Sequence, residues 1–194
     1  IQVSILPVIL LSLLLAGCAA RTVQTPPSQP TRDPNDEQKL EQQLEGMNPR
    51  AVPVFQEATK AMDSGDYEKA MRSYQQVLLL APNFSTAYRR LGYIELSLNN
   101  IEKAEELTRK AMELEPNSFN QSSLALVLLQ KNIPKDSQEA FDLASSAVKS
   151  LPDDSQANSA LLLSSLSLNK LDIARQTNQH LLELQPFSPL AHYV

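Results

Sequence analysis

Pro82, Pro116, Pro152 and Pro186 follow one another at intervals of 34, 36 and 34 residues. A unit of that length is one supersecondary piece that cannot bury its own apolar face. Copies must therefore stack into an elongated array with a shared core. The residues between the prolines recur too. In blocks cut at 51–84, 85–118, 119–154 and 155–188, the second is the cleanest. It carries Tyr88, Leu91, Gly92, Glu95, Ala104, Thr108, Ala111 and Pro116 at positions 4, 7, 8, 11, 20, 24, 27 and 32. Ala58, Gly65, Tyr67, Ala70, Tyr74, Val77 and Pro82 of the first block fall on the same frame. So do Leu161, Leu171, Ala174, Leu181 and Pro186 of the fourth.

Those residue types have physical reasons. Small residues at positions 8 and 20 let two helix backbones approach, and the larger ones around them fill the surrounding space. Proline at 32 cannot continue a helix and fixes the turn into the next unit. The third block carries two extra residues, expected in the turn Lys131 to Asp136, after which Ala140, Ala144, Ala147 and Pro152 regain the frame. Leu126 and Leu162 stand where position 8 wants a small residue. A one-residue shift of the third block would put Leu124 at 7 and Ala125 at 8, so two registers stay open there. No shift repairs the fourth block, which predicts looser packing of its first helix.

The pattern resembles the tetratricopeptide repeat over residues 51–188. The resemblance implies an all-α fold, a right-handed solenoid of four helix–turn–helix units. It further implies that the first helices line a concave groove, with ligands meeting positions 2, 5, 9, 12 and 13. Carried onto this chain, the groove holds Phe55, Arg89, Tyr93, Asn120, Val127 and Leu163. Phe55, Arg89 and Tyr93 are residue types that anchor interfaces. The groove lacks the Lys/Asn/Arg set with which some members clamp a C-terminal carboxylate.

The beginning of the chain constrains its location. Val3 to Ala16 is apolar apart from Ser4, Pro7 and Ser12. That is short for a membrane span of about 20 residues and suits the core of a signal peptide. Leu15-Ala16-Gly17-Cys18 resembles the lipobox of bacterial lipoproteins. The resemblance implies cleavage before Cys18, lipidation of that cysteine with diacylglycerol and a further acyl chain such as palmitate, and membrane attachment. A basic leader is missing before Val3, so the start reads as truncated by several residues. Ala19 in place of Asp goes, in Gram-negative lipoproteins, with the outer membrane, facing the periplasm. Residues 18–50, with Pro26, Pro27, Pro30, Pro34 and Pro49, read as a disordered tether. Within it, Asp36 to Gly46 is expected as a short helix with Leu40 and Leu44 one turn apart, either docked on the first repeat or free.

Composition narrows the chemistry. The net charge of −5 carries no basic stripe, which disfavours nucleic acid. One cysteine excludes a disulfide framework or a multi-thiolate zinc site, and His180 and His192 have no acidic cluster to complete a metal site. Glu105–Arg109 and Glu106–Lys110 are i,i+4 pairs of a solvated face. No catalytic set, cofactor site or small-molecule substrate is expected. The leading reading is a non-enzymatic scaffold in the bacterial envelope whose groove holds a peptide or helix of another envelope protein. Pilus, secretion or outer-membrane assembly are the settings the resemblance implies. A second reading comes from residues 189–194, where Pro189 at a helix start opens what looks like another helix. On that reading the chain is the N-terminal repeat portion of a larger envelope protein whose catalytic or channel domain lies beyond Val194.

Overall fold

The computed structural model describes residues 33–184. The expectations for the signal peptide, for Cys18 and for a helix opening after Ser188 lie outside them. The described residues form helices and no strands: α1 Pro34–Met47, α2 Ala51–Asp63, α3 Tyr67–Leu80, α4 Ser85–Ser97, α5 Ile101–Leu114, α6 Ser118–Gln130, α7 Pro134–Ser150, α8 Ser155–Ser167 and α9 Leu171–Leu184. Each first helix packs closely on the helix after it, pairing α2 with α3, α4 with α5, α6 with α7 and α8 with α9, and α8 rests at least as closely on α7 before it. No described helix is long and apolar enough to cross a membrane.

The turn inside each pair is set by one residue in the left-handed region. Gly65, Asn99, Asn132 and Asn169 have φ of 76°, 63°, 53° and 56°. Glycine and asparagine tolerate this conformation best, and it lets the chain reverse while satisfying the helix-end carbonyls. In three of the turns the next amide reaches back over the helix end: Asp66 to Ala61 O at 2.9 Å, Asn100 to Glu95 O and Lys170 to Ser165 O, both at 2.8 Å. Gly92 serves a different purpose. A Cβ there would lie 2.7 Å from Thr108 Cγ2, so α4 and α5 meet at backbone distance.

These turns fix the register of the third repeat. Asn132 stands as far into its unit as Gly65, Asn99 and Asn169 do only if the unit starts at Ser118, where α6 begins. Ala125, not Leu126, then occupies the small position, and it is fully buried alongside Ala140. The length change has two parts. The connection before α6, Glu115 to Asn117, is one residue shorter than those before α4 and α8. Helix α7 has 17 residues against 14 in α3, α5 and α9, an extra turn opened by Pro134 at its first position. The additional residues thus lengthen a helix rather than a turn. In the fourth repeat Leu162 remains at the small position, fully buried against Ala174 and Leu181.

The tether expectation changes after residue 33. Asp33 caps α1 through the Asn35 amide at 2.8 Å, Pro34 opens the helix, and Leu44 is fully buried in the core of the first repeats with Leu40 beside it. A fully buried leucine contributes about 1.5–3 kcal/mol, enough to help dock a short helix that would not persist alone. Glu41 accepts from Gln56 Nε2 at 2.9 Å, and Asn48 Nδ2 donates to Leu80 O at 3.0 Å.

Candidate interaction face

Helix α4 packs on α6 and α6 on α8, whereas no two second helices pack on each other to a comparable extent. The first helices therefore crowd the inside of the curve and the second helices splay on the outside. Long side chains span the outer gap instead. Arg109 of α5 binds Glu139 of α7 in a two-pronged pair at 2.7 and 3.1 Å and also takes Glu105 at 2.9 Å. Glu106 pairs with Lys103 and Lys110 with Glu113, each three residues apart, in place of the expected Glu106–Lys110 pair.

Of the six groove positions expected from sequence, Arg89, Tyr93 and Leu163 are partly exposed. The other three are interior. Phe55 is 0% exposed. Its ring sits edge-on to Tyr74 at 6.1 Å and Phe84 at 5.3 Å, with Leu40 and Leu44 of α1 in the same cluster. Asn120 and Val127 are buried because the third unit starts one residue earlier than the frame assumed. Asn120 instead holds the turn before it, donating to Glu115 O at 2.7 Å and Ala111 O at 3.2 Å. In the observed register the groove positions of α6 include Phe119 and Leu126, both partly exposed, and Ser122, which is buried. The frame cut at 119 passes over Phe119.

Two neighbouring arginines dominate the electrostatics of this face. Arg90 has a side chain 3% exposed. It lies over the Phe55 ring at 4.7 Å, donates to Thr59 Oγ1 at 2.6 Å and Tyr74 Oη at 3.2 Å, and pairs with Glu37 of α1. Arg89 turns the other way, with its guanidinium over the Phe119 ring at 5.7 Å. Burial and the adjacent Arg90 charge pull its pKa down to about 10, so it stays cationic at neutral pH. Asp154 caps α8 through the Ala157 amide at 2.6 Å, and burial pushes its carboxyl above the ordinary value. Farther along, the Gln156 side chain donates to Ser123 Oγ at 2.9 Å, linking α8 to α6.

The face is thus a run of aromatic, apolar and hydroxyl side chains with one uncompensated cation, suited to holding a chain segment. Residues 61–126 match the tetratricopeptide repeat family profile. No curated protein matches the chain in sequence. Among solved structures it is similar to MamA residues 41 to the end from Desulfovibrio magneticus RS-1, at 20% identity and a TM-score of 0.62, over 75% of this chain and 81% of that one. It is also similar to PilW, a widely conserved type IV pilus biogenesis factor, at 24% identity and a TM-score of 0.63, over 74% of this chain and 66% of PilW. A tetratricopeptide repeat protein from Parabacteroides merdae aligns at 16% identity and a TM-score of 0.57, over 73% of this chain and 56% of that one. At these identities the likeness is one of fold, and the described chain is a tetratricopeptide-type helical solenoid.

Proposed function

We propose that this protein is a non-enzymatic scaffold, anchored to the bacterial envelope through Cys18, whose inner face holds a peptide or helix of another envelope protein. The observation that carries the reading is the run of partly exposed Arg89, Tyr93, Phe119, Leu126 and Leu163 along consecutive first helices. Apolar and aromatic area with one donor-rich charge is the composition of an interface centre. The fold supports a binding role through its shape, since an inner face built from successive helices offers an extended surface. The likeness to PilW supports assembly of an envelope structure as the setting.

Two measurements test the two halves of this proposal. A photo-crosslinking residue at Tyr93 or Leu163 captures a defined partner, whereas the same residue at Lys103 or Glu106 does not. Stronger capture from the outer positions moves the function to the other face. A Cys18→Ser variant expressed behind a complete signal sequence loses processed protein from the membrane fraction. Retention in normal amount removes the lipid anchor from the proposal.

A further inference from the structure

Adjacent arginines on α4 meet different fates. Arg90 is a completed receptor, in which an aromatic ring lies beneath the guanidinium, Thr59 and Tyr74 accept from it, and a carboxylate closes it. That carboxylate, Glu37, arrives on α1, which docks on the first repeat. Leu40 and Leu44, one and two turns farther along α1, bury against the same cluster. The chain therefore contains its own example of an acidic, leucine-bearing helix seated on an arginine of the first helices.

Arg89 repeats half of that arrangement one unit farther on. Its guanidinium lies over Phe119 as Arg90 lies over Phe55, and it is partly desolvated, yet among the described residues it makes no hydrogen bond or ion pair. Of the two acids whose charge reaches it, Glu37 is taken by Arg90 and Asp154 spends a carboxylate oxygen on the Ala157 amide. A desolvated charge without a partner is costly, and a carboxylate supplied from outside recovers that cost. Phe119 beneath it, with partly exposed Tyr93 one turn along α4 and Leu126 two turns along α6, offers apolar area of the kind that Leu40 and Leu44 use next door.

Resting on the reading of the inner face as the partner site, we propose that Arg89 receives a side-chain carboxylate from an acidic amphipathic partner helix. That helix carries a glutamate followed by leucines three and seven residues on, the spacing of Glu37, Leu40 and Leu44, and lays its leucines on Tyr93, Phe119 and Leu126. Specificity comes from the pairing, because a neutral or basic residue at the glutamate position leaves the guanidinium buried and unpaired.

The test uses the full chain, with α1 in place, and a fluorescein-labelled peptide of residues 34–47, followed by anisotropy. Arg89→Gln weakens binding roughly tenfold or more, a Glu37→Gln peptide loses a similar factor, and the two losses do not add. Circular dichroism confirms that each variant stays folded. If Leu126→Asp or Leu163→Asp weakens binding while Arg89→Gln does not, the inner face stands and the carboxylate receptor falls. Insensitivity to all three removes both readings. Loss only with Arg90→Gln means that the peptide has displaced α1, and no binding at all means that Arg89 does not recognise such a helix. Either result overturns the proposal.

Discussion

In the first repeat, and where the second packs onto it, the interior is aromatic. Phe55, Tyr74 and Phe84 meet edge to face, with Met62, Val77, Leu91 and Ile94 buried around them. In the last two repeats it is built from alanine, leucine and hydroxyls. Ser122, Ser137, Ser164 and Ser165 are buried among Leu124, Leu128, Leu161 and Leu162. Each aromatic ring buries 150–250 Å² or so, and the edge-to-face pairs add about 0.5–1.5 kcal/mol each. Buried hydroxyls only break even by bonding locally, as Ser164 does to Ala160 O at 2.7 Å. Asn120 Oδ1, Ser165 Oγ and Asn178 Oδ1 are buried without a bond, and all three lie from α6 onward. The two halves share one helical ladder, because turns and close-approach positions set the ladder. What fills it sets local stability. In a solenoid that stability is nearly a sum over neighbouring units, so the second half opens first.

The sharpest way to break this contrast is to empty each half in turn. Phe55→Ala removes the ring on which Tyr74, Phe84 and Arg90 all rest, and costs about 3–5 kcal/mol. Leu162→Ala costs about 2 kcal/mol, the low end for a buried leucine. An alanine there restores the small residue that the other repeats have, and α8 can settle toward Ala174. Denaturant unfolding measures both. A loss at Leu162 equal to that at Phe55 means that the two interiors are equally consolidated. Amide exchange gives a second reading, with α8 and α9 exchanging before α2 to α5.

How much of this was legible in sequence follows the same division. The ladder was, because proline, glycine and alanine at fixed offsets act through backbone geometry, which sequence reports directly. The third register could have been read from Asn132, which shares its offset with Gly65, Asn99 and Asn169. A frame anchored on the prolines alone left two registers open, because a shortened loop and a lengthened helix partly cancel. The site was less legible. Phe55 sits at a groove position by count and is lost to an aromatic cluster in which α1 joins. Among the contacts that dock α1, Glu37 reaches Arg90 across 53 residues. Local pattern carries no record of such a contact.

A smaller effect tests what the second repeat owes to its close-approach pair. Ala104 is fully buried, and Gly92 lies where a Cβ would strike Thr108 Cγ2, whose hydroxyl is already tied to Ala104 O at 2.8 Å. Ala104→Leu therefore overpacks the contact and costs about 1–3 kcal/mol. Gly92→Ala costs less, because its gain in helix propensity, roughly 1 kcal/mol, offsets part of the clash. Thermal midpoints of both variants against the parent settle the point. Unchanged midpoints would mean that α4 and α5 do not depend on this close approach.

The smallest expected effect concerns the seam where the two halves join. Glu105 of α5 accepts from Lys131 Nζ at 2.8 Å and from Arg109 Nε at 2.9 Å, and Lys131 also pairs with Asp136 at 2.9 Å. The Lys131 bond, with help from Arg109, holds the Glu105 carboxyl below its ordinary 4.5. The folded state then binds this proton more weakly than the unfolded chain does. Its contribution is fully present above pH 4.5 and is lost as pH falls through the lower folded value. Lys131 works in the opposite range. Its pKa is pushed up to about 12, so its contribution is intact below 10.5 and fades as pH rises through that higher value. Asp154 opposes Glu105 in acid, because burial raises it above 3.8 and its protonation relieves a cost of folding. Glu105→Gln therefore lowers the thermal midpoint at about pH 7 and lowers it less at about pH 3, where the parent has begun to lose the same contribution. Screening of partly exposed charges keeps the difference modest, and added salt shrinks it further. An equal drop at both pH values would show that Glu105 holds the seam by packing rather than by charge, and that the two halves are joined by the same forces that fill them.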